Sequence, residues 1–191
     1  MKKILIILCM LMMVSISKAQ VVSILSITQN NSQGIPIDTG AFKTITGIVT
    51  AANEFGGPPY MQDYTGGIAV FYQGFSGAVT IGDSVIVTAK LSHFNGLSEL
   101  VYSLFGGTPS FTIISNGHTV PAPIVVTLQQ FNNQTWNGHE EYEGQLIRIN
   151  GLTITGSGSF QPNFNYTVTD PTGTGQLRID NNTNLVGTLI P

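Results

Sequence analysis

Two stretches of this 191-residue chain place an aspartate, a variable residue, a threonine and a glycine in the same order: Asp63-Tyr64-Thr65-Gly66 and Asp170-Pro171-Thr172-Gly173. Two carboxylates can share a proton for acid–base work or hold a calcium ion. The same residue types also make turns, because an Asp side chain accepts backbone N–H groups two residues on. Recurrence favours the turn. A corner built twice needs its aspartate twice, whereas one active site does not. Asp63, Gly66, Gly67, Asp170 and Gly173 are therefore expected to shape corners rather than to catalyse.

Other residues hint at other chemistry. Asp38-Thr39-Gly40 has the order of the aspartic-protease loop, in which two carboxylates share one proton. Ahead of a strand, the same three residues are ordinary turn chemistry. A hydrolase using Asp38 thus ranks third, behind two binding functions. His93, His118 and His139 are widely spaced, and His139-Glu140-Glu141-Tyr142-Glu143 lacks the second histidine of a zinc helix. The expectation is no catalytic residue, no metal site and no cofactor. The aromatics are more suggestive. Tyr60, Tyr64, Tyr72, Phe75 and Phe94 sit on or beside the expected hairpins. Such rings can stack on sugars or on bases, at roughly 1–3 kcal/mol per base. Some of them must instead fill a core.

The elements that would position these residues follow from the ends and the composition. Lys2 and Lys3, an apolar run from 4 to 16, and Ser17-Lys18-Ala19 read as a secretory signal peptide cut after Ala19. The chain is then expected to be secreted or held at the cell surface, with no membrane span after cleavage. Cys9 leaves with the signal, so neither a disulfide nor a thiolate metal site is expected. Lys43, Lys90, Arg148 and Arg178 remain against ten acidic residues, a formal net charge of −6. That balance lacks the basic stripe that phosphate backbones require.

Alternating β-branched runs read as strands: 43–52, then a hairpin 59–62 and 67–72 around Asp63, then a hairpin 83–92 and 97–104. Asn95-Gly96 joins the last two and suits a tight turn with φ > 0 at both positions. Short strands are expected at 111–115 and 124–128, with a linker over 116–123. A pattern then recurs. Ile45-Thr46-Gly47-Ile48-Val49-Thr50 resembles Ile149-Asn150-Gly151-Leu152-Thr153-Ile154, and each is followed by its Asp-x-Thr-Gly turn. Gly47 and Gly151 are read as equivalent bends inside leading strands. The fold class is all-β: a small OB-like Greek-key barrel over 20–117, then a second OB-like module over 118–191 that lacks the sequence for its closing hairpin. A plain β-sandwich is the competitor. Further domains are expected after Pro191.

The run Thr44-Ile45-Thr46-Gly47-Ile48-Val49-Thr50 … Tyr60-Met61-Gln62-Asp63-Tyr64-Thr65-Gly66-Gly67-Ile68 … Ile81-Gly82-Asp83-Ser84-Val85 resembles the OB-fold-like modules of secreted Bacteroidetes multidomain proteins. Tyr142-Glu143-Gly144-Gln145-Leu146-Ile147 and Tyr166-Thr167-Val168-Thr169-Asp170 carry the same likeness in the second copy. The resemblance implies a non-catalytic binding or spacer module of a larger extracellular protein. An unidentified ligand, such as a glycan, is one partner. Single-stranded nucleic acid is the alternative, for a module serving an extracellular nuclease.

Overall fold

The structure is a computed structural model that describes residues 20–72, 74–134 and 137–191. The expected signal peptide, residues 1–19, lies outside the described residues. The first module runs β1 (Val21–Val22), α1 (Ile24–Ile27), β2 (Phe42–Ala51), β3 (Tyr60–Gln62), β4 (Gly67–Phe71), α2 (Phe75–Ala78), β5 (Ser84–Phe94), β6 (Leu97–Val101) and β7 (Ser110–Ser115). Strands pair in the order β2-β3-β4-β6-β5, and β5 returns to β2, so five strands close a barrel. Only β4 and β6 within that ring are parallel. This is the OB-type Greek-key order.

Sequence pattern explains how the ring closes. In β5 the alternation puts Val85, Val87, Ala89 and Leu91 inside, each fully buried. Ile45, Val49, Met61, Ile68, Val70, Phe75 and Leu100 meet them there. Each fully buried Val, Leu, Ile or Phe contributes about 1.5–3 kcal/mol. Asn95 and Gly96 take φ of 50° and 89°, the left-handed pair of a tight hairpin turn. Strand β5 pairs β2 through Ser84–Lys90 and β6 through Lys90–Phe94, so one long strand serves both seams.

The leading-strand glycine acts differently from the expectation. A Cβ on Gly47 would lie 2.6 Å from the Gln62 carbonyl oxygen, so Gly47 permits close approach of β3. The register irregularity in β2 falls between Val49 and Ala51 instead.

The second module repeats the plan. It runs β8 (Ile124–Val125), α3 (Leu128–Asn132), β9 (Ile147–Arg148), β10 (Thr153–Thr155), β11 (Phe164–Asp170) and β12 (Gly173–Ile179). Parallel β8–β9 repeats parallel β1–β2 at the same spacing along the chain. The β11–β12 hairpin repeats β3–β4, register included: Thr167 faces Gln176 as Tyr60 faces Ala69. Phe160, Tyr166 and Ile179 form a small core with Ile154, Leu177, Val186 and Ile190 packed on it. Among the described residues β10-β11-β12 is an open three-stranded sheet, so this barrel is incomplete.

Gly151 departs from the expected equivalence with Gly47. It lies between β9 and β10 with φ of 68°, outside any strand. The cause is the missing neighbour. Strand β5 holds Ile45, Thr46 and Gly47 extended by pairing with Val87, Ile86 and Val85. Residues 149–151 have no such partner among the described residues, and glycine turns there at no steric cost. Among the described residues, no helix is long and apolar enough to cross a membrane.

Candidate functional site

The Asp-x-Thr-Gly corners do more than close their own turns. Asp63 Oδ1 accepts the backbone N–H of Thr65 at 2.7 Å and of Gly66 at 3.0 Å, together with the Thr65 hydroxyl at 2.5 Å. Its other oxygen, Oδ2, accepts the Ile24 N–H at 2.9 Å, and Thr65 Oγ1 accepts the Leu25 N–H at 3.0 Å. Ile24 and Leu25 open α1, where N–H groups have no partner inside the helix. The corner therefore clamps a helix start from about 40 residues away along the chain. Asp170 and Thr172 reproduce every contact: Oδ1 takes Thr172 and Gly173 N–H, Oδ2 takes Leu128 N–H at 2.9 Å, and Thr172 Oγ1 takes Gln129 N–H at 3.0 Å. The Leu128 N–H, then the Thr172 hydroxyl, hold the Asp170 carboxyl below its ordinary range. The turn role was legible in the sequence. The clamp was not, although Val22-Ser23-Ile24 and Val126-Thr127-Leu128 stand in register with the repeat.

A second device joins the modules. Residues 138–146 lie against the first barrel. Asn30 N–H donates to the Gly138 carbonyl at 2.6 Å, Leu146 N–H donates to Gln62 Oε1 at 2.9 Å, and Ser98 N–H donates to Glu143 Oε1 at 2.8 Å. Gly67 and Gly144 meet backbone to backbone, and a Cβ on Gly67 would lie 2.1 Å from the Gly144 carbonyl oxygen. This explains the second glycine of the first corner. Its counterpart in the second corner is Thr174, whose carbonyl accepts Asn132 Nδ2 at 2.8 Å instead. Glu143 and Glu99 sit near His93 at this seam. Burial raises both carboxyl pKa values, and Glu140 raises that of Glu143 further. His93 Nε2 and Ser98 Oγ, opposite one another on β5 and β6, are buried there without a hydrogen-bond partner among the described residues.

The five aromatic candidates are not brought together. Phe75 is fully buried in the core and presents nothing to a ligand, because the short helix α2 turns its ring inward against Phe111. Tyr60 stacks edge-on with Phe55 at 5.9 Å, next to the inter-module seam. Tyr64 stands almost wholly in solvent at the tip of its corner, and Phe94 is exposed at the hairpin end. Tyr64 edges an open cleft of about 620 Å³ lined mostly by polar and small residues, whereas Tyr72 lines an aromatic one. Tyr72 packs 5.1 Å from Tyr102 and 5.2 Å from Phe111. With Pro58, Pro59, Phe71 and Tyr102 it borders a groove of about 410 Å³ at the outer end of β4. Tyr102 and Phe71 are exposed. No charged side chain lines the groove among the described residues. Burial, then Tyr102, pushes the Tyr72 phenol above its ordinary range, so it stays neutral and able to donate a hydrogen bond. Tyr102 was not singled out in the sequence, where it fell inside the expected strand 97–104; only the structure, ending β6 at Val101, brings its ring against Tyr72.

The hydrolytic candidates fare as turns. Asp38 is an exposed residue whose carboxylate pairs with Lys43 at 2.5 Å, and Ala41 N–H donates to its carbonyl. Ser115 Oγ lies 2.7 Å from His118 Nε2, an arrangement seen in nucleophilic sites. The nearby carboxylate does not orient that histidine. Buried Asp83 accepts Asn116 Nδ2 at 2.8 Å and Thr80 N–H at 2.9 Å, and these hydrogen bonds lower its pKa. Among the described residues no group of three His, Cys, Asp or Glu side chains is placed to hold a metal ion.

Comparison with known families, with curated proteins and with solved structures finds no match for this chain.

Proposed function

We propose that the protein is an exported, non-catalytic binding or spacer module, and that the groove between Pro58, Pro59, Phe71, Tyr72 and Tyr102 holds a neutral glycan. The observation that carries this is the groove's wall: aromatic and proline faces with no charge. Neutral sugars are held by stacking and hydrogen bonds, which exposed rings and a protonated phenol supply. A phosphate backbone would need cations, and the first module has only Lys43 and Lys90. Lys43 is engaged by Asp38, and Lys90 lies over the Phe105 ring. The likeness to OB-like modules of secreted Bacteroidetes proteins supports the same reading.

The test is a glycan array probed with residues 20–191, followed by the Tyr102→Ala protein. Tyr102 is exposed, so its truncation spares the core. Retained glycans should bind about tenfold more weakly, equivalent to ~1.4 kcal/mol. Absence of any glycan ligand, or binding indifferent to Tyr102→Ala, overturns the proposal. Retention of single-stranded DNA instead, lost at moderate salt, replaces it with the nuclease-accessory function.

A further inference from the structure

We propose that the open edges of the second module receive a β-hairpin of the same kind as residues 84–101, which completes a second closed barrel. This goes beyond the glycan reading and does not depend on it. The first module shows what such a hairpin does. One of its strands pairs β2 over Phe42–Ile48, and the other runs parallel to β4 over Ala69–Phe71. The repeat carries both receiving edges. Residues 146–152 correspond to the β2 segment, and Gln176, Leu177 and Arg178 correspond to Ala69, Val70 and Phe71.

The outward groups are in place. Val70 N–H bonds to the Pro59 carbonyl across β3, while the Phe71 carbonyl accepts Tyr102 N–H on the far side. The equivalent β11–β12 register turns the N–H groups of Gln176 and Arg178 away from β11. Their side chains are exposed, and among the described residues β12 ends the sheet. Just before this edge, Asn132 Nδ2 caps the Thr174 carbonyl at 2.8 Å. The free stretch therefore coincides with the one that β6 covers in the first copy. An uncovered edge of this kind is a template for strand addition. The kink at Gly151 marks the other vacant seam. A second copy of the chain is a poor donor, because its own 84–101 hairpin is consumed in closing its own barrel.

The test adds a synthetic peptide of residues 83–103 to the protein of residues 20–191 and follows amide exchange residue by residue by NMR. Saturable slowing of about tenfold is expected at Gln176 and Arg178 and at residues 149–151, as the latter straighten into strand. Gln176→Pro removes one outward N–H that β11 does not use, which an edge strand tolerates. It should abolish the slowing while leaving the remaining spectrum unchanged. Three results overturn the proposal: no slowing at saturating peptide, slowing undiminished in Gln176→Pro, or slowing confined to β2 and β4. A fourth is protection of the same amides in the protein alone that grows with its concentration, which would make a second copy the occupant.

Discussion

Replacing Asp63 by Asn tests the helix clamp with a single atom. Asparagine keeps one carbonyl oxygen, which can hold the Thr65 and Gly66 N–H groups at the corner. The other oxygen becomes an NH₂ facing the Ile24 N–H, now 2.9 Å from a carboxylate oxygen. Donor then meets donor. Ile24 is fully buried, so its N–H has no access to water in the folded barrel. A buried donor left unsatisfied costs about 1–3 kcal/mol, and the lost charge-assisted bond falls in the same range. We expect Asp63→Asn to lower the stability of the first module by about 2 kcal/mol in urea unfolding. Amide exchange at Ile24 and Leu25 should speed up by about thirtyfold, the same energy expressed as a rate. Asp63→Ala should cost more, since the three corner bonds go as well. If Asp63→Asn stays within ~0.3 kcal/mol of the parent, and Ile24 exchanges at the parental rate, the carboxylate is only a turn residue and the clamp carries no stability.

The remaining expectations concern the seam and the groove. Gly67→Ala forces a methyl group into the Gly144 carbonyl, so residues 138–146 should detach from the barrel and become sensitive to limited proteolysis, whereas Thr174→Ala should change nothing there. Glu143→Gln keeps an oxygen for the Ser98 N–H while removing a charge disfavoured by burial and Glu140. A carboxyl whose pKa is raised on folding contributes stability below its unfolded pKa and loses it as pH rises through the folded one. The Glu143→Gln protein should therefore melt higher than the parent at neutral pH and converge with it in the acidic range, a comparison made by thermal melts across pH, with Glu99, Glu140 and His93 left intact. Asp83 works in the opposite sense: its lowered pKa contributes stability that is lost as pH falls through the folded value, and Asp83→Asn should flatten that acid limb of the same melts. Tyr102→Ala should weaken glycan retention without shifting the melt, since the ring stands outside the core.

The sequence by itself determined the all-β class, the repeated sequence pattern and the two corners. These rest on local physics: alternation sets which face of a strand is buried, Asn95-Gly96 fixes a hairpin, and Asp63 bonds its own turn. What an aspartate's second oxygen reaches is not local. The partner of Asp63 Oδ2 is the start of α1, brought beside the corner only when β1 lies along β2. The same holds for Gly67, whose glycine answers to Gly144, and for Phe75, whose ring is counted as surface or core only once α2 has turned inward. Gly47 and Gly151 show the limit most directly. Two glycines in matching sequence take different backbones because one has β5 beside it and the other has no strand there among the described residues, and a strand is stable as a strand only when its neighbour is present.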